Sequence, residues 1–110
     1  MKLAVIGSRN LVIENLEDYI SDKVTEIVSG GAKGIDCCAA EFAEKRGLKL
    51  TEFLPEYQRY GRAAPIKRNE QIVDYADEVL AFWDGSSKGT FWVIKYCEKT
   101  NTPFRIISSV

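Results

Sequence analysis

Residues 24–47 read VTEIVSGGAKGIDCCAAEFAEKRG, and this stretch decides the fold. Val24–Val28 is apolar enough for a buried strand. Ser29, Gly30 and Gly31 close it with a turn. Ile35, Cys38, Ala39, Phe42 and Ala43 then recur at i, i+3, i+4 spacing, which predicts an amphipathic helix. Gly47 stands just past the last of them, where a helix stop belongs. Strand, glycine turn and helix make one βα unit.

The same unit repeats on either side. Upstream, Lys2–Gly7 (KLAVIG) is a buried-strand candidate, and Val12, Ile13, Leu16 and Ile20 follow at helical spacing. Downstream, Leu48–Leu54 predicts a third strand, ended by Pro55. A loop runs from Glu56 to about Ala63. Pro65 suits the first turn of a helix that Ile66, Ile72, Val73 and Ala76 continue. Glu78–Trp83 is the fourth strand. Val93, Ile94 and Cys97 mark a fourth helix, which Asn101 and Pro103 stop before a fifth strand at Phe104–Ile107. The order is βαβαβαβαβ. Strict alternation predicts a Rossmann-like, doubly wound α/β fold. Its parallel sheet has five strands in order 3-2-1-4-5, with four helices divided between the two faces. No linker, repeat or low-complexity tract interrupts it, so residues 1–110 are expected to form one domain. In such sheets ligands bind outside the carboxyl ends of the strands, at the switch between strands 1 and 4.

Composition narrows the function. The chain has 110 residues, 15 Lys and Arg against 16 Asp and Glu, and a net charge of −1. Duplex-binding proteins carry a basic excess, so extensive nucleic-acid contact is disfavoured. No signal peptide is expected ahead of the strand-like run at Lys2, and no apolar run approaches the ~20 residues that span a bilayer. Cys37, Cys38 and Cys97 form no periodic framework, which fits reduced thiols in a cytoplasmic setting. There is no histidine. That removes His-based acid–base chemistry and the usual zinc sets other than a Cys-rich one, and no metal is expected.

Three glycine-containing loops follow strands 1, 2 and 4. They are Gly7-Ser8-Arg9-Asn10, Ser29-Gly30-Gly31-Ala32-Lys33-Gly34, and Asp84-Gly85-Ser86-Ser87-Lys88-Gly89-Thr90. All three open on one edge of the proposed sheet and lead toward helix N-termini. Such ends offer unpaired amides and a partial positive charge, which suit phosphate. Ser8, Ser29, Ser86, Ser87 and Thr90 add hydroxyls, and Arg9, Lys33 and Lys88 add charge. Turns and helix caps need Gly and Ser in any case, so one loop alone carries little. Three converging loops, each with its own cation, favour a site. Neither GxGxxG nor GxxxxGK[ST] is present, so a standard NAD or ATP site is not indicated.

Other residues admit two readings each. Asp36 lies in the first turn of the second helix, and either answers the helix dipole or meets a ligand hydroxyl or base edge. Asn69 is expected on the inward stripe with Ile66 and Ile72, and either bonds a neighbouring loop backbone, the favoured reading, or contacts the ligand. Arg68 reaches either an anion or a surface carboxylate. Cys37 and Cys38 are not a CxxC pair and read as buried small hydrophobes. Tyr57, Tyr60 and Arg62 could stack on a base, but packing of their loop is favoured. Phe91, Trp92 and Tyr96 widen the apolar arc of the fourth helix, which predicts either a homodimer interface or rings lying flat at the sheet edge.

Gly7-Ser8-Arg9, the run from Ser29 to Asp36, Lys67-Arg68-Asn69, Ala76-Asp77-Glu78 and the run from Trp83 to Thr90 together resemble the SLOG superfamily. That grouping joins the DNA-processing Smf/DprA proteins to the LOG-type phosphoribohydrolases. The chain is most similar to its small, single-domain YspA/YpsA-related branch. The resemblance implies a Rossmann-like fold with a nucleotide-derived ligand over the glycine loops. The LOG enzymes carry a PGGxGTxxE motif whose glutamate is catalytic. Here Val93 holds that position, which counts against LOG-type hydrolysis.

The expectation is therefore binding or sensing of a nucleotide or nucleotide-derived phosphate ligand, with no cofactor beyond that ligand. The competing reading is an enzyme cleaving an N-glycosidic or phosphate bond, with Asp36, Asp84 or Glu41 as acid or base. A third is single-stranded DNA binding, which the slight acidity weakens.

Overall fold

Alternation along the first strand organises both sides of the sheet. The computed structural model describes residues 1–108. In β1 (Lys2–Gly7), Leu3 and Val5 face one side while Ala4 and Ile6 face the other. β1 lies between β2 (Glu26–Ser29) and β4 (Glu78–Phe82), with β3 (Lys49–Glu52) and β5 (Phe104–Ile107) at the edges. All pairings are parallel, in order β3-β2-β1-β4-β5. The register sets Ala4 beside Val28 and Gly7 beside Phe82. The expected sheet is the one observed.

Leu3, Val5, Ile27, Leu80 and Phe82 pack under α1 (Ile35–Arg46) through Ile35, Ala39, Phe42 and Ala43. Ala4, Ile6, Val28, Val79 and Ala81 pack on the opposite face. There they meet Ile72 and Val73 of α3 (Ala64–Tyr75) and Val93, Ile94 and Cys97 of α4 (Lys88–Thr100). Ten or more fully buried aliphatic and aromatic side chains on the two faces supply the main driving force, at ~1.5–3 kcal/mol for each.

The helix complement departs from expectation. The segment between β1 and β2 forms no α-helix, only a 3-10 turn at Leu16–Tyr19. Its short polar side chains take local partners instead. Asn15 Nδ2 donates to Asp18 Oδ2 at 2.8 Å, and Ser21 Oγ accepts from the Lys23 amide at 3.4 Å. Such bonds compete with a helical ladder. Leu16 is buried and Ile13 and Ile20 pack at the core margin, but Val12 is 72% exposed. In place of a plain loop after β3, a single turn α2 (Tyr57–Tyr60) and a 3-10 turn (Gly61–Ala63) lead into α3. Three long helices therefore cover the sheet, rather than four. β3 is also shorter than Leu48–Leu54, because the Leu48 amide is taken by the Ala43 carbonyl at the end of α1 and the partner strand β2 ends at Ser29, opposite Glu52. No helix among the described residues is long and apolar enough to cross a membrane.

The phase of α3 is the other correction. Ile66 was expected inward, but it is exposed. Ala64, Arg68, Ile72 and Val73 form the buried stripe instead. Arg68 thus points toward the sheet, at the carboxyl end of β2.

Candidate functional site

Parallel strands deliver their carboxyl ends to one edge, and there the order reverses between β1 and β4. A cavity of about 310 Å³ opens at that edge. Gly7 holds the crossing of β1, β4 and α1 tight. A Cβ at Gly7 would run into the Ile35 side chain and lie 2.8 Å from the Phe82 carbonyl oxygen. Ser8 continues the β1–β4 pairing past the sheet. Its amide donates to the Phe82 carbonyl at 3.1 Å, and its Oγ accepts from the Asp84 amide at 3.3 Å.

The loop after β4 is ordered by Asp84. Its Oδ1 accepts from the amides of Ser86 at 2.8 Å and Ser87 at 2.7 Å, and from Ser86 Oγ at 3.2 Å. Those donors hold the Asp84 carboxyl below the usual carboxylate range. Ser87 caps α4, its Oγ accepting from the Thr90 amide at 3.4 Å. The amides of Lys88 and Gly89, at the first and second helical positions, have no carbonyl partner inside the helix.

On the β2 side, two oppositely charged side chains flank Gly30. Asp36 is only 9% exposed and Arg68 only 8%. Arg68 Nη1 donates to the Gly30 carbonyl at 2.7 Å, and its Nε donates to Asn69 Oδ1 at 2.9 Å. Asn69 thus bonds a side chain, not the loop backbone expected for it. Asp36 Oδ2 accepts from the Ala32 amide at 3.0 Å. A Cβ on Gly30 would sit 2.6 Å from Arg68 Nη1 and 3.1 Å from Asp36 Oδ2, so a side chain there would displace the guanidinium from its present place. Burial pushes the Asp36 carboxyl above its ordinary value, while the Ala32 amide and the charge of Arg68 pull the other way. Burial likewise pulls the Arg68 guanidinium below its usual value.

The cavity wall gathers Gly7, Ser8, Arg9, Gly30, Asp36 and Arg68 with Asn69, Asp84, Gly89 and Thr90. Ser29, Gly31, Lys33, Gly85, Ser86 and Lys88 lie outside that wall. Ser29 is fully buried and accepts from the Gly31 amide at 3.3 Å, and Lys33 and Lys88 are exposed. Of the three loop cations, Arg9 alone lines the cavity, and the second guanidinium comes from α3. Asn10, Ala32, Ile6 and Ile72 complete the wall together with Ser87, offered by sequence as a loop hydroxyl, and Val93, which stands at the LOG glutamate position. Ile6 and Ile72 were legible only as core.

Val93 is 2% exposed and lines the cavity with an aliphatic side chain. It has no proton to give or take. Glu41 lies away from the site, on the exposed face of α1 beside Cys38 and Lys45. The cysteines are free: Cys37 is exposed, Cys38 half-buried and Cys97 fully buried, with burial raising the Cys97 thiol to about 11. Cys37 is therefore no core residue. Tyr57 is 59% exposed rather than packed down. On α4 the aromatic arc is partly used within the chain. Trp92 stacks on Tyr96 with ring centres 5.4 Å apart, and Phe91 stacks on Trp83 at 5.8 Å. Phe91 stays 45% exposed.

No match was found among curated proteins or among solved structures. A family model does match, over residues 3–60. That span runs from β1 through α2, and so contains the first two glycine loops, Gly30 and Asp36. It covers more than half of the 110 residues. The chain belongs to the YspA, cpYpsA-related SLOG family (YAcAr).

Proposed function

We propose that the chain binds a nucleotide or nucleotide-derived phosphate ligand in the cavity at the β1–β4 switch. Membership of the SLOG family points to nucleotide-related binding or processing. One observation carries the finer reading. Gly89, whose amide has no carbonyl partner inside α4, and Arg9 both line one cavity of about 310 Å³. Ligand pockets run from about 300 to 1,000 Å³, so a mononucleotide-sized molecule suits this one. Helix-end amides and guanidinium groups are the protein groups that best complement phosphate. Binding or sensing is favoured over LOG-type hydrolysis because Val93 stands where those enzymes carry their glutamate. The setting is cytoplasmic, which the three free thiols support.

Native mass spectrometry of freshly purified protein, followed by calorimetry against a panel of nucleotides, tests the reading. A co-purifying phosphorylated ligand, or micromolar binding lost in Arg9→Ala, is the expected result. Wild-type protein that binds no nucleotide and no phosphate would sink it.

A further inference from the structure

Asp36 and Arg68 are each more than nine-tenths buried, lie against the same glycine, and line the cavity. Yet they form no ion pair within 4.0 Å among the described residues. Each keeps hydrogen-bonding capacity in reserve. Asp36 uses Oδ2 on the Ala32 amide and leaves Oδ1 without a partner. Arg68 uses one N–H on Gly30 and one on Asn69, of the five that a guanidinium carries. Every side-chain polar atom fully sealed from solvent has a partner. Asp36 Oδ1 and Arg68 Nη2, which have no partner, are therefore atoms that solvent reaches, at residues that form the cavity wall.

The wall beside Gly30 thus presents an acceptor next to donors. A phosphate does not match it, because the carboxylate repels an anion and offers it no proton. A neutral group that both gives and accepts a hydrogen bond does match. We propose that Asp36 and Arg68 read such a group on the ligand, either the vicinal hydroxyls of a ribose or the mixed donor–acceptor edge of a base. The phosphate is then turned toward Arg9 and the start of α4. This rests on the phosphate-ligand reading above and adds which way round the ligand lies.

Asp36→Asn is the informative change. Its amide oxygen keeps the Ala32 bond, so its NH2 falls where the free carboxylate oxygen was. The acceptor becomes a donor while the loop stays tied. Calorimetry with AMP, ribose 5-phosphate, 2′,3′-dideoxy-AMP and inorganic phosphate reads the result, with thermal unfolding as the check on the fold. Wild type is expected to bind AMP more tightly than inorganic phosphate. Asp36→Asn is expected to weaken AMP by at least about tenfold and leave inorganic phosphate unchanged. Ribose 5-phosphate sharing that loss assigns the ribose hydroxyls; dideoxy-AMP sharing it assigns the base edge. AMP binding that is unchanged or tighter in Asp36→Asn overturns the inference, as does equal weakening of AMP and phosphate. So does a wild type that binds AMP no better than phosphate. In those three cases the phosphate site survives. A wild type that binds none of the four probes overturns both readings.

Discussion

Two carboxylates bracket the second βα unit, and their surroundings are opposite. Glu26 opens β2 at the amino edge of the sheet, and Asp36 follows its carboxyl edge. They are almost equally buried, at 8% and 9% exposed. Glu26 Oε2 accepts from Tyr75 Oη at 2.6 Å and from Thr51 Oγ1 at 2.7 Å, and its Oε1 lies 3.9 Å from Lys49 Nζ. Those hydroxyl donors, Tyr75 first, hold its carboxyl below the ordinary value against the pull of burial. Asp36 has one amide, and burial wins. At the amino edge two hydroxyls bond one carboxylate oxygen and a lysine ammonium stands near the other, and together they tie β2, β3 and α3 to one another. At the carboxyl edge the chain leaves lone pairs open. A buried charge with several partners serves the fold; one held by a single amide leaves capacity for a ligand.

The largest test of that contrast is Glu26→Ala. It strands the Tyr75 and Thr51 hydroxyls, and urea unfolding should show a loss of about 2–4 kcal/mol. Nucleotide affinity should be untouched. A loss under about 1 kcal/mol would break the comparison, since surface changes reach only ~0.5 kcal/mol. Arg9→Ala should do the reverse. Calorimetry should register about 1.5–3 kcal/mol of lost nucleotide affinity, the range for a bond to a charged group, with the melting temperature unmoved. Gly89→Val comes next. No atom lies within 4 Å of a Cβ at Gly89, so the fold should persist while the cavity mouth narrows. Affinity should fall about tenfold, ~1.4 kcal/mol; a destabilised variant would show that the mouth is packed rather than open.

The smallest effects lie in the pH profile, and the two carboxylates should bend it in opposite senses. Glu26 has a folded value below its unfolded one of about 4.3. Its stabilisation is present above that unfolded value and is lost as pH falls through the folded one. Glu26→Gln should flatten this acid limb. Asp36 has a folded value above its unfolded one of about 3.9. Between the two, stability declines as pH rises, and the ionised side chain remains a liability beyond. Asp36→Asn should therefore raise the melting temperature slightly at pH 7. Calorimetric melting from pH 3 to 8 checks both, and parallel shifts in the two variants would erase the distinction.

Strict alternation made the parallel sheet legible, because each apolar run of β1, β2, β4 and β5 stands between turn residues and consecutive parallel strands need a helical crossover. The missing first helix was not legible from Val12, Ile13, Leu16 and Ile20. Spacing alone hides the competing bonds of Asn15 and Ser21. The α3 phase failed differently. Counting back by fours from Ile72 gives Arg68 and Ala64, but an arginine is a poor candidate for an inward position until its partners are known. Gly30 and Asn69 supply those partners, and Gly30 lies 38 residues away in the chain. The loop residues of the wall were readable as glycines and hydroxyls near helix starts. Which of them face the cavity depends on loop geometry that no local pattern encodes, as Lys33 and Lys88 illustrate by lying outside it.

The two hydrogen bonds of Ser8 have a consequence for ligand capture. They stitch the loops after β1 and β4 to each other where an open sheet would let them splay. Both loops therefore lose their conformational freedom when the chain folds, not when a ligand arrives. A ligand meets a wall already standing, and association needs no slow closure on that side. Encounter should then be limited by diffusion and orientation, with selectivity expressed in how long each ligand stays.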